Sequence, residues 1–306
     1  MNTSHFRLPS PFARNGQKGI ALVMVLWILL LVTISTGAYT LMARMDQLEA
    51  HTVISSTRAR MAAEAGINLA VLSLRDPDEL TRLVPDGRPY TILIQDVEVE
   101  IQVTDERGKV DINAADEATL LQLFQGHGLE GDEAVYLVAA VLDWIDIDEI
   151  ERANGAELPA YSSAGLDVGP GNRRFLMIEE VLQVLGMPWD LFKQIEPGLT
   201  VFTDTGDPDP AYAPLEALLA MPEMTEEDAL NFIEERQSQD ATSGVGTALP
   251  NGEVAMARGR GLTYSVLAKA TLPNGIWDQV EATIRLGGST TGLPYKILRW
   301  REGFHN

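Results

Sequence analysis

From Ile20 to Val32 the chain reads IALVMVLWILLLV, with no charged residue and no polar group beyond the Trp27 indole. Out to Ala43 only Thr, Ser, Gly and Tyr interrupt the run. Roughly 20 helical residues at about 1.5 Å each cross a bilayer core, so this stretch is long enough to span. Its upstream flank holds Arg7, Arg14 and Lys18 and no acid. Such a flank stays cytoplasmic and sends the bulk of the chain across the membrane. The rival reading is a secretory signal peptide, with an apolar core of about 7–15 residues and a small-residue cleavage site. The run here is longer, and Ser35 to Ala38 matches such a site poorly.

Beyond this segment the 306-residue chain has length for two ordinary domains. Its formal charge of −21 repels nucleic acid and anionic lipid and favours cations or basic partners. The absence of cysteine excludes disulfides, thiolate catalysis and Cys-based zinc sites. His5, His51, His127 and His305 lie far apart and form no HExxH-like pattern.

Helical patterning continues from Arg44 to Leu74, with Met61, Ala65, Leu69 and Leu72 as a narrow apolar stripe. Ala59, Ala62, Ala63, Ala65, Gly66 and Ala70 allow close approach to a sheet or another helix, and Arg75-Asp76-Pro77 ends the helix. The period then changes to two. Val97, Val99, Ile101 and Val103 alternate with polar residues as a half-buried strand, and Thr91 to Ile94 pairs with it across a Gln95-Asp96 turn. From Gly108 to about Gln237 the pattern is helical with acidic loops. Asn113 or Asp116 can cap a helix filled by Leu120, Leu121 and Leu123; Gln125 to Gly131 makes a hairpin, and Asp132 to Trp144 a second helix. A weaker copy occupies Leu215 to Arg236, with a turn at Pro222-Glu223-Met224, and Phe175 to Leu185 between them is expected to be helical. Ser238 to Gly261 reads as a loop. Strands return at Val266 to Ala270, Val280 to Leu286 and Tyr295 to Arg301, with a Pro273-Asn274-Gly275 turn. The early hairpin and these late strands form one antiparallel sheet interrupted by the helical block, an α+β chain.

The leader ending in Lys18-Gly19, followed by Ile20 and an apolar helix, resembles that of type IV pilins and pseudopilins. The resemblance implies cleavage by prepilin peptidase between Gly19 and Ile20, leaving the helix on the mature protein with a formal charge of −24. The fifth mature residue is then Met24, where most of that family carries Glu. An intramembrane carboxylate is costly unless paired. In pilin-type filaments it meets the amine of the subunit ahead, so its absence implies a subunit at the tip. GKVDINAADEATLLQLF, DWIDIDEIERANGAELPAY, FLMIEEVLQVLGM and the closing YKILRW resemble segments of the minor pseudopilin K family of type II secretion. The opening of the second helical repeat departs from that family, with Tyr212-Ala213-Pro214 in place of an Asn-rich start.

That resemblance implies the following organisation: a leader at 1–19; a transmembrane and spine helix at 20–75; the first part of a pilin-like sheet at 76–107; an inserted domain at 108–240, with SAM-like units at 108–200 and 208–240; a loop at 241–261; and closing strands at 262–306. It implies a structural protein anchored once in the inner membrane with its bulk periplasmic. Its implied partners are the minor pseudopilins I, J and H, the major pseudopilin and prepilin peptidase. A DNA-uptake minor pilin and a signal-anchored periplasmic enzyme are the alternatives.

The densest acidic stretch is Asp143-Trp144-Ile145-Asp146-Ile147-Asp148-Glu149. Crowded carboxylates repel one another, and Ca²⁺ relieves this by taking 6–8 oxygens at about 2.3–2.6 Å. Asp143, Asp146 and Asp148, with Glu157 folding back, are the candidate ligands; a solvated acidic loop is the alternative. The register of an EF-hand is absent. The first hairpin, Gln125 to Asp132, carries two acids and no Lys or Arg, which argues against nucleic acid. Gly165 to Gly171 matches no nucleotide-binding loop, and Tyr161-Ser162-Ser163 lacks nucleophile-elbow spacing.

Overall fold

Helix α1 runs unbroken over Ile20–Leu74 in a computed structural model that describes residues 19–78, 81–239, 246–257, 261–287 and 294–303. The chain divides into two compact units at Ser55 and Ser56. In the first unit every residue from Ile20 to Ile54 is exposed. Among the described residues α1 is the one helix long and apolar enough to cross a membrane. The Thr36 and Thr40 hydroxyls donate to Val32 O and Thr36 O, one turn back, at 2.7 and 2.8 Å.

The second unit is built on a five-stranded antiparallel sheet of β1 (Asp86–Ile94), β2 (Val97–Asp105), β7 (Thr263–Thr271), β8 (Trp277–Leu286) and β9 (Tyr295–Glu302), paired in that spatial order. Everything between β2 and β7 is inserted at one junction of the sheet, so two neighbouring strands lie more than 150 residues apart at their registered pairs, such as Ile101 with Ala268. The period-two pattern of the sequence becomes two faces. Val99, Ile101, Val266, Ala268, Val280 and Ala282 point one way and are buried against α1.

The α1 face they meet is small. Ala59, Ala62, Ala63, Gly66, Ile67 and Ala70 are buried, and a Cβ on Gly66 would stand 2.9 Å from Val99 Cγ1 and 3.1 Å from Ala268 Cβ. This corrects the stripe read from the sequence. Met61, Leu69 and Leu72 are exposed, at 67%, 40% and 68%, and Ala65 is half-buried. At Gly66 the sheet comes too close for a larger side chain, while Ile67, Val71 and Leu74 are buried around this close contact.

The insert has its own hydrophobic core. Helix α2 (Glu117–Gly126) is capped by Asp116, whose Oδ1 accepts from Thr119 N at 2.8 Å, and α3 (Gly131–Ile145) follows across the hairpin. The second pair is α6 (Leu215–Leu218) and α7 (Glu226–Ser238), with Glu223 at φ +61° in the turn. The pairs touch where Gly126 lies flat on Leu219; a Cβ there would be 2.6 Å from the Leu219 carbonyl oxygen. Phe175 to Leu185 is not the expected α-helix but a 3₁₀ turn over Ile178–Gln183 with extended flanks. Its ends are pinned elsewhere. Asn113 exchanges two hydrogen bonds with the Phe175 backbone, at 2.7 and 3.0 Å, and the Tyr161 hydroxyl accepts from Leu185 N at 2.9 Å. The stretch read as a loop contains a small hairpin of β5 (Thr247–Ala248) and β6 (Val254–Ala255).

The insert covers the second face of the sheet through polar groups. Ser265 Oγ donates to Glu106 Oε1 at 2.6 Å, and the Lys109 ammonium bonds both, at 3.1 and 2.7 Å. Arg285 of β8 donates to the Phe202 carbonyl at 2.9 Å. Glu196 follows α5 (Trp189–Ile195) and gathers Lys193 at 2.8 Å, Arg299 of β9 at 2.8 Å, and Arg301 of β9. Burial alone would raise the Glu196 carboxyl, but the hydrogen bonds from Lys193 and Arg299 and the charge of Arg301 more than reverse this and hold it at about 2.

Candidate functional site

The acidic stretch begins inside the last turn of α3. The amphipathic register that buries Leu137, Val138 and Val141 also carries Asp143 into the interior, where it is fully buried. A bare carboxylate there would be costly; hydrogen bonds to Oδ2 and the charge of Arg152 offset part of this, and Oδ1 has no hydrogen bond. Its Oδ2 accepts from Ala156 N at 2.9 Å and Arg152 N at 3.3 Å, and Oδ1 faces Arg152 Nε at 3.2 Å. Arg152 also reaches Asp146 Oδ2 at 2.8 Å. The loop that makes this turn needs Asn154 at φ +67° and Gly155, where any Cβ would overlap the Asp143 carboxylate.

Glu157 closes the loop as the residue preceding α4 (Leu158–Ser163). It is 2% exposed, and neither carboxylate oxygen has a hydrogen-bond partner. Burial raises its pKa, and the charges of Asp143 and Asp146 raise it further. Asp146 is also raised, by burial first and by Asp148 and Asp143, with Arg152 opposing. One Asp146 oxygen is likewise buried and unpartnered. Alongside, the Trp144 indole stacks on Phe175 at 5.5 Å between ring centroids, with its Nε1 buried and unpartnered.

The structure therefore brings Asp143, Asp146, Asp148 and Glu157 into one electrostatic neighbourhood, with Asp148 at its exposed edge. Asp148 is exposed, and its Oδ1 accepts from Ile150 N at 2.9 Å. Among the described residues no three His, Asp or Glu side chains stand together as an ion's ligand set. Arg152 is the cation between the carboxylates, and the sequence reading missed it. It is the only basic residue between Asp143 and Glu157, which was the available signal. Its side chain is 44% exposed, whereas those of Asp143 and Glu157 are buried. Both Glu157 oxygens are thus buried and unpartnered within reach of the charges of Asp143 and Asp146.

The residues read from the N-terminal segment sit at the start of α1. Gly19 has nothing within 4 Å of where a Cβ would be, and Ile20 and Met24 are exposed. The leader before Gly19 lies outside the described residues.

Residues 79–204 match the family described as Type II secretion system (T2SS), protein K. The chain is 30% identical over 210 residues to "Type II secretion system protein K" of Klebsiella pneumoniae, covering 61% of this chain and 64% of that protein. The protein of the same name from Pectobacterium carotovorum subsp. carotovorum is 28% identical over 205 residues, 60% of this chain and 62% of that one. The chain thus spans a little under two thirds of these relatives. A solved chain from the GspK-GspI-GspJ complex of the enterotoxigenic Escherichia coli Type 2 Secretion System is similar in fold, with TM-score 0.53 and 14% identity. That likeness covers 86% of this chain and 99% of that one.

Proposed function

We propose, for a chain whose residues 79–204 match the type II secretion system protein K family, that it serves as a minor pseudopilin of that apparatus and acts structurally. The match that carries this reading takes in the β1–β2 hairpin of the sheet and the insert as far as β4 (Leu199–Thr200). In this reading α1 anchors the subunit in the inner membrane and the second unit lies in the periplasm. The chain joins the minor pseudopilins I and J, and H with them, at the tip of a filament built from the major pseudopilin. The complex named in the solved structure's title supports I and J. Met24 in place of an acid, and a bulky insert that would obstruct stacking, support the tip position.

Processing is the direct test. Gly19→Leu in the full chain, expressed with prepilin peptidase, should leave an uncut form about 2 kDa heavier and abolish secretion. Normal cutting with secretion intact would overturn the reading. Co-purification of the full chain from membranes with I and J tests the partners, and a DNA gel shift at low salt should show no band.

A second reading concerns calcium and rests on Glu157. Asp143, Asp146 and Glu157 would hold the ion once Arg152 moves aside, and calcium would supply the counter-charge that both Glu157 oxygens lack. Calorimetric titration of the full chain with Ca²⁺ should show one site and a rise in melting temperature, with Arg152→Ala binding more tightly. No heat and no shift would remove it.

A further inference from the structure

The interface between the insert and the sheet encloses a cavity of about 440 Å³. Its walls carry five cations, Lys109, Lys193, Arg236, Arg299 and Arg301, against three acids, Asp86, Glu196 and Glu281. Glu106 on Lys109 and Glu179 on Arg299 add two acids behind this lining. The three acids are already committed: Asp86 to Arg88 at 2.8 Å, Glu196 to its three cations, and Glu281 to Arg301 at 2.9 Å.

Two of the cations are more than nine-tenths buried and keep donors to spare. Arg236 spends its outer nitrogens on the carbonyls of Pro210, Ala213 and Asp86, at 2.7, 3.0 and 3.1 Å. Its Nε–H has no acceptor, and the nearest carboxylate oxygen, on Asp86, is 3.8 Å away. Lys109 bonds Ser265 and Glu106, which leaves one of its three N–H groups unused. A desolvated cation with an idle donor is unfavourable unless something fills the space. Burial accordingly lowers the Arg236 pKa.

We propose that this cavity binds a small multivalent oxyanion, a di- or tricarboxylate or a phosphate. Its volume lies within the roughly 300–1,000 Å³ of small-ligand sites. Arg236 and Lys109 would bind from the floor. Lys193, whose side chain is 49% exposed, and Arg299 would close over the anion. Because Arg236 and Lys193 belong to the insert and Arg299 to β9, a bound anion ties the insert to the sheet. This proposal is independent of the secretion role.

The test uses the full chain in detergent and calcium-free buffer, titrated with succinate or inorganic phosphate against sodium chloride of matched ionic strength. Calorimetry should show one saturable site for at least one of the two ions, and melting should rise by about 5 °C at a hundredfold excess over Kd. The chain has only five lysines, which makes acetylation a footprint. Bound anion should protect Lys193 and leave the exposed Lys269 and Lys296 reacting as before. Lys193→Gln with Arg299→Gln should weaken binding at least tenfold; if that variant does not fold, the footprint on the unaltered chain decides. Neither ion differing from sodium chloride, or uniform protection of Lys193, Lys269 and Lys296, would overturn the proposal.

Discussion

Along β2, β7 and β8, Val99, Ile101, Val266, Ala268 and Ala282 meet the small side chains of α1, while their neighbours one step along, Gln102, Ser265 and Glu281, turn to the insert and its charges. The same strands thus serve two interfaces of opposite chemistry. The α1 face depends on burial and close fit, which salt and pH barely touch. The insert face depends on buried ion pairs and hydrogen bonds, whose net contribution varies with protonation and with the partner left behind. The comparison teaches that α1 is a fixed part of the sheet, whereas attachment of the insert is conditional on solution conditions.

The largest effect should come from breaking the close fit. Gly66→Leu forces a side chain into space already taken by Val99 and Ala268. Urea unfolding of the full chain should show a loss of about 3 kcal/mol or more, at the upper end for overpacking. A loss below about 1 kcal/mol would mean that the helix can lift from the sheet at little cost.

Acid should next separate the two faces. The Glu196 carboxyl is held at about 2, below its ordinary 4.5. A depressed carboxylate adds stability that is fully present above the unfolded value and is lost as pH falls from about 4.5 toward 2. The shift corresponds to about 3 kcal/mol. Melting temperatures from pH 7 to pH 2 should fall through that window, and Glu196→Gln should be destabilised at pH 7 while lacking this acid-sensitive component. Because Glu196 serves the insert face, its loss should free the insert before α1, which proteolysis can report as earlier cutting within 106–262. Equal acid sensitivity in both proteins would remove Glu196 as the anchor.

How much of this was legible in the sequence follows from the range of each interaction. Alternation from Val97 to Val103, the Asp116 cap and the Pro273-Asn274-Gly275 turn are local, and each appears where its residues indicate. The α+β class followed from the change of period. The buried stripe of α1 was misread because it is chosen by the closeness of a sheet formed much later in the chain. Phe175 to Leu185 was misread because Asn113, 62 residues earlier, fixes its entry. In the acidic site, Asp143 and Glu157 could be nominated from charge density, but Arg152 as their counter-ion depends on how Gly155 folds the loop back. Glu196 drew no attention at all, since Arg299 and Arg301 lie more than 100 residues away.

The smallest effect on stability should come from the outward side of α1. Met61 and Leu72 are each about two thirds exposed, so Met61→Ser with Leu72→Ser removes almost no buried area and should shift unfolding by no more than about 0.5 kcal/mol per site. A groove lined by Leu69, Leu72, Ile94 and Tyr295 lies on this side, and the proposed assembly with I and J gives it an occupant. The double variant should therefore melt like the parent yet lose co-purification with I and J from membranes. A drop in melting temperature would show that these residues pack within the chain. Unchanged stability with partners retained would instead place the partner contact away from this helix and leave its small-residue side as the only one in use.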